Sequence, residues 1–220
     1  MSASLSATYF IDKDHPDIIA FSTQHAKAGR SDRDRAVHLY YAVRDLIRYN
    51  PYSIEPDRRA MKASAVLARK QGYCVAKAVL LAACLRSRGI PARLGFADVK
   101  NHLNTERLKA LMETDLFVWH GFTEVFLGGR WVKATPAFNL GLCESFHVKP
   151  LEFDGTCDSV FHPFDNLGNR HMEYVNDHGS FDDLPWDRAL SAMQKAYPRY
   201  FETLDRKTGD FNAEAAKENT

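Results

Sequence analysis

The apolar positions along this chain change period several times, and each change marks an element. Ala36, Tyr40, Val43, Leu46 and Ile47 recur at three- and four-residue spacings, a pattern that predicts an amphipathic helix. Ser31, Asp32 or Asp34 can cap its start, and Asn50-Pro51 ends it. A weaker helix is expected from about Asp17, after the His15-Pro16 break, and a short helical run over 63–68. From Val75 to Leu85 the chain is apolar nearly all round, broken only by Lys77, and Arg86 and Ser87 follow. Such a helix is buried at the centre of a domain, and Gly89 and Pro91 stop it.

Beyond Pro91 the period shortens. Residues 92–99 alternate as a strand does; 100–114 are polar and read as a loop with one helical turn. Two β-rich runs, 117–127 and 130–135, flank Gly128-Gly129, which predicts a hairpin because a two-residue turn needs positive φ at its centre. A tight turn sets Leu127 against Arg130, Phe126 against Trp131, Glu124 against Lys133 and Phe122 against Thr135. It gathers His120, Phe122, Glu124 and Phe126 on the face of Trp131, Lys133 and Thr135. Glu124 is then expected to pair with Lys133, and Trp119 to fill core. Residues 139–183 mix Gly, Asp, Asn and His with isolated aromatics and read as long ordered loops with short strands. Trp186, Leu190, Met193 and Tyr197 predict a last helix, and the polar end from about Lys207 is expected to fray. A short strand is expected at 8–11.

With 220 residues, 45% of them hydrophobic, the chain can bury a full core. A net charge of +1 gives no electrostatic case for nucleic acid or a membrane surface. The first residues show no basic region followed by an apolar run, and no apolar stretch reaches bilayer length; a cytoplasmic protein is expected. Its four cysteines, Cys74, Cys84, Cys143 and Cys157, are then expected to stay reduced.

Position singles out Cys74. It stands at the head of the apolar helix, where free backbone N–H groups and the helix dipole favour a thiolate. A nucleophilic cysteine needs a base, and the base needs an orienting group. His120 can serve as base. Thr135, diagonal to it across the hairpin, or Asn139, if the chain curls back after Pro136, can orient it; neither carries the charge an imidazolium would want. Cys143, His147, Cys157 and His162 form a C-x3-H…C-x4-H set, but the spacing is not that of a zinc finger, and no metal or cofactor is expected.

The runs GYCVAKAVLLAACLRSRGIPARLG and WHGFTEVFLGGRWVKATPAFN resemble the core of the transglutaminase-like superfamily, which shares the papain-like thiol fold. The resemblance covers about residues 33–140. It implies an α+β fold in which a central helix bearing the cysteine packs against an antiparallel sheet bearing the histidine, with Cys74 as nucleophile and His120 as base. The domain would span 31–204, with an N-terminal segment over 1–30 and a polar tail over 205–220. The implied activity is acyl transfer on amide or peptide bonds, hydrolytic or to an amine, with a protein, peptide or small amide as substrate. One departure stands out: the family's acid falls at Thr135, in A-T-P rather than x-D-P. The alternative is therefore an inactive domain that keeps the fold for binding.

Overall fold

The computed structural model describes residues 3–27, 29–161, 171–203 and 209–218. The chain begins with α1 (Pro16–Ala26) and α2 (Asp32–Leu46), followed by β1 (Arg48–Tyr49), α3 (Ala63–Arg69), β2 (Gln71–Gly72) and α4 (Cys74–Ser87). Then come β3 (Ala92–Asn101), α5 (Glu106–Met112), β4 (Leu116–Leu127), β5 (Arg130–Ala134) and α6 (Leu140–Ser145). The described chain ends with β6 (Met172–Phe181), α7 (Trp186–Ala196), α8 (Pro198–Glu202) and α9 (Phe211–Glu218). This is the expected α+β architecture: a four-stranded sheet of order β5-β4-β3-β6, antiparallel throughout, with α4 packed on it. No helix among the described residues is long and apolar enough to cross a membrane.

Local chemistry explains most boundaries. Ser31 and Asp34 form a reciprocal capping box at the start of α2, which satisfies two of the donors a helix leaves open. The Gly128-Gly129 turn has both residues at positive φ, and the β4–β5 register runs Leu127↔Arg130, Phe126↔Trp131 and Glu124↔Lys133, as the turn dictates. The strand pairing stops at Thr123↔Ala134. Thr135 has left the ladder, and its N–H donates to the Ser159 carbonyl at 3.1 Å.

Other expectations are corrected. Residues 8–11 make a hydrogen-bonded turn, Thr8 N–H to the Ile11 carbonyl, rather than a strand. β6 is a ten-residue strand in a stretch expected to hold only long loops and short strands: it lies on the edge of the sheet, mostly exposed, so it lacks the apolar alternation that marks a half-buried strand. The tail does not fray over its described residues, since α9 buries Phe211 and Ala215, and Asn212 donates to the Tyr49 carbonyl. Glu124 lies opposite Lys133 but bonds to Arg93 on β3 and to Ser180 on β6. Lys133 instead covers the ring of Phe122.

The sheet-facing side of α4 and its far side are both dry, and two cations sit in that interior. Lys77 is fully buried, and its ammonium donates to the carbonyls of Arg44 and Ile47 at the end of α2 and of Ala137 beyond β5, at 2.8, 2.6 and 2.7 Å. Burial lowers its pKa, but only an ammonium has three hydrogens for three acceptors. Arg86, at the other end of α4, donates to the carbonyls of Ala92, Ser6 and Asp182. These two residues tie the cysteine's helix to four distant stretches of chain. Lys77→Met should destabilise the fold by about 3 kcal/mol, the lower end for breaking a buried charged cluster, because Asn139 also reaches two of the same carbonyls. Urea unfolding against Lys195→Met, an exposed control expected within about 0.5 kcal/mol of wild type, checks this.

Candidate active site

The Cys74 side chain is placed by three features. Tyr73 is the extended N-cap residue, so Cys74 opens the helix. Gly121 lets β4 press against that first turn: a Cβ there would lie 2.9 Å from the Val75 backbone, closer than real contacts allow. The N–H groups of Gly121, Val75 and Cys74 itself all stabilise the sulfur's charged form. Gly121 belongs to no motif; its one signal in the sequence is a glycine interrupting a strand pattern, which often means a close backbone approach.

His120 is buried, its imidazole tilted against the ring of Phe161 at 5.5 Å. Cys74 and His120 line one narrow cleft, whose other walls include Tyr49, Tyr73, Phe117, Trp119, Tyr197 and Met193. Trp119 is thus both core and wall. No hydrogen bond joins the sulfur to the imidazole, and catalytic pairs are often looser before substrate binds.

The electrostatics correct the thiolate expectation. Cys74 keeps part of its surface exposed, but burial of its sulfur pushes the thiol up to about 11, more than the three N–H groups pull it down. Burial also pushes the His120 imidazole down to about 4. At neutral pH the resting pair is therefore thiol and neutral imidazole, because the apolar cleft penalises both ions.

The two candidate orienters part company. Asn139 is not brought to His120: its amide accepts from the Tyr49 N–H at 2.6 Å and donates to the carbonyls of Arg44 and Ile47, closing the end of α2. Thr135 is buried, with its carbonyl within 3.1 Å of the Tyr40 hydroxyl. Its Oγ1 and the Nε2 of His120 are both buried without a hydrogen-bond partner, a costly arrangement for two polar atoms, and they do not bond to each other. Among the described residues no three His, Cys, Asp or Glu side chains are placed to hold a metal; His162 lies outside them. Of the other histidines, His102 meets Glu173, His171 is buried, and His178 is on β6 against Asp98.

Residues 19–136 match the profile of the Transglutaminase-like superfamily. No curated protein matches the chain. Among solved structures, the chain is similar to a candidate cysteine protease from Cytophaga hutchinsonii, at 16% identity and a TM-score of 0.48, over 82% of this chain and 55% of that one. It is also similar to a candidate protease from Parabacteroides distasonis ATCC 8503, at 12% identity and a TM-score of 0.41, over 61% of this chain and 26% of that one. The chain thus spans about half the length of the first and a quarter of the second.

The depressed His120 pKa has a consequence for stability. The unfolded chain takes up a proton as pH falls through 6.5, whereas the folded chain resists until about 4. Acidification between those values should therefore cost folding on the order of 3 kcal/mol through this residue. Unfolding free energies at pH 7 and pH 4.5 should differ less in His120→Gln than in wild type; an equal difference would mean that the imidazole protonates freely in place.

Proposed function

The chain belongs to the transglutaminase-like superfamily, and on that footing we propose that it is a cysteine-dependent acyl-transfer enzyme acting on amide or peptide bonds, with Cys74 as nucleophile and His120 as base. The observation that carries this reading is the shared cleft, lined both by a cysteine, partly exposed, at the first turn of a buried helix and by a neutral imidazole. In the proposed cycle the Cys74 proton passes to His120 as the sulfur attacks the carbonyl carbon. The carbonyl electron pair moves to oxygen, which the Cys74 N–H at the helix end can stabilise. The imidazolium then gives the proton to the leaving amine, and a thioester remains. Water or a second amine, deprotonated by His120, releases the acyl group and restores the thiol. A neutral imidazole at pH 7 is the form a base needs.

A second reading, a non-catalytic domain that keeps the cleft for binding, has its own observation. Thr135 stands where the family's acid belongs, and its hydroxyl and the His120 Nε2 are both left unpartnered. An imidazolium formed during attack would have no anion beside it.

Iodoacetamide labelling of Cys74 at pH 7.5, read by peptide mass spectrometry with exposed Cys157 as internal reference, separates the two. In an enzyme, His120→Ala should slow labelling on the order of 100-fold, the usual worth of a positioned base. Thr135→Asp should speed it at least about tenfold, since a carboxylate beside the imidazole raises its pKa and stabilises the ion pair. Equal rates in all three proteins would leave the binding domain.

A further inference from the structure

His120 owes its direction to an irregularity in the sheet. The β3–β4 register runs Ala97↔His120 and then Val99↔Phe117, so that Val118 and Trp119 together oppose Asp98 alone. This is a β-bulge, and it turns the strand immediately before the histidine. Without the extra residue, the strand below His120 would present its side chains to the opposite faces. The backbone is strained at that point: Trp119 has φ +56°, a left-handed conformation that costs a bulky residue about 1–3 kcal/mol.

A bulge also frees N–H groups from the ladder, and buried ones must find partners. Side chains supply both here. The Trp119 N–H donates to Asp98 Oδ1 at 2.9 Å, and the Val118 N–H donates to the hydroxyl of Tyr197, which itself donates to the Leu116 carbonyl at 3.2 Å. Asp98 is fixed in turn by β6. Its Oδ1 meets His178 Nε2 at 2.7 Å, and its Oδ2 accepts from Asn176 at 3.3 Å. The His178 ring stacks on Trp119 with centroids 4.4 Å apart and planes within 8°, and the Arg188 guanidinium lies over the same indole, 5.6 Å from the ring centroid. The β3–β6 register shifts on both sides of the Ala97–Asp98 pair, between Phe96 and Ala97 and between Asp98 and Val99. Three strands bend around one carboxylate.

The geometry points to Asp98 as a positioning residue for His120: together with Tyr197 it clamps the Val118–Trp119 bulge, and through that bulge it sets the imidazole's place in the cleft. This rests on His120 being the base, but the placement can be measured without any activity. The test uses full-length protein with ¹³C-labelled histidine. The imidazole Cε1–H resonance of His120, assigned by its loss in His120→Ala, is followed in wild type, Asp98→Ala and Asp98→Asn. In parallel, the labelling rate of Cys74 is measured in each.

Asp98→Ala should move the His120 resonance and slow Cys74 labelling about 10- to 100-fold, the cost of a roughly 1 Å misplacement of a catalytic group. Asp98→Asn, which keeps an acceptor for the Trp119 N–H, should restore most of both. A His120 resonance unmoved in folded Asp98→Ala would overturn the proposal, and so would an equal shift in both variants, which would trace to lost charge rather than to the bulge. If Asp98→Ala does not fold, Tyr197→Phe removes the other bulge hydrogen bond and must move the same resonance; an unmoved signal there also overturns it. A resonance that moves as expected while His120→Ala leaves Cys74 labelling unchanged would sink the base role and leave the positioning role standing.

Discussion

The fold depends first on an ammonium buried where no water can reach it. Lys77 sits one turn into α4 from Cys74, and its three hydrogens are taken by the last carbonyls of α2 and by Ala137, just past the position of Thr135. A helix C-terminus carries partial negative charge, so the cation is held by dipoles rather than by a carboxylate. The arrangement works in one geometry only, because a carbonyl moved out of reach would leave a buried charge unsolvated. It therefore fixes the start of α4 relative to both the helix before it and the strand pair after it. Asn139 adds its amide to the same helix end. Arg86 does the equivalent work at the far end of α4, reaching the chain's N-terminal stretch and the turn after β6. The cysteine's position is a consequence of these two clamps and of the close approach that Gly121 permits.

The burial that brings Cys74 and His120 to one cleft also sets their protonation. Apolar walls hold Cys74 and His120 as neutral species, a thiol that resists giving up its proton and an imidazole that resists taking one. Three backbone N–H groups moderate the penalty on the sulfur; nothing comparable serves the imidazole. Its Nε2 is buried without a hydrogen-bond partner, so burial acts on it unopposed.

The sheet shows how local strain is kept beside that cleft. Trp119 adopts a backbone conformation that bulky residues avoid, and the hydrogen bonds that its N–H and that of Val118 donate to Asp98 and Tyr197, with the stacked His178, offset the cost. Tyr197 closes α7, so the C-terminal helices also take part in holding the strand that carries His120. α9 docks through Phe211 onto Tyr49 and Tyr52, whose rings lie 5.8 and 6.2 Å away, and Tyr49 also lines the cleft.

The sequence by itself determined the elements whose signals are local. The capping residues of α2, the apolar helix that Cys74 opens, and the Gly-Gly hairpin with its register all follow from periodicity and turn chemistry within a few residues, and they sufficed to bring out Cys74 and His120. Tertiary structure alone decided what depends on distant partners. It placed Lys77 and Arg86 inside, paired Glu124 with Arg93 rather than with the Lys133 opposite, committed Asn139 to the end of α2, made a strand of 172–181 at the sheet's edge, and set a bulge before His120. It also reversed the expected charge state of Cys74. The helix dipole is a property of position in the sequence, but the desolvation that outweighs it comes from aromatic side chains contributed by β1, β4 and α7. A residue's burial is fixed only when all of those have packed.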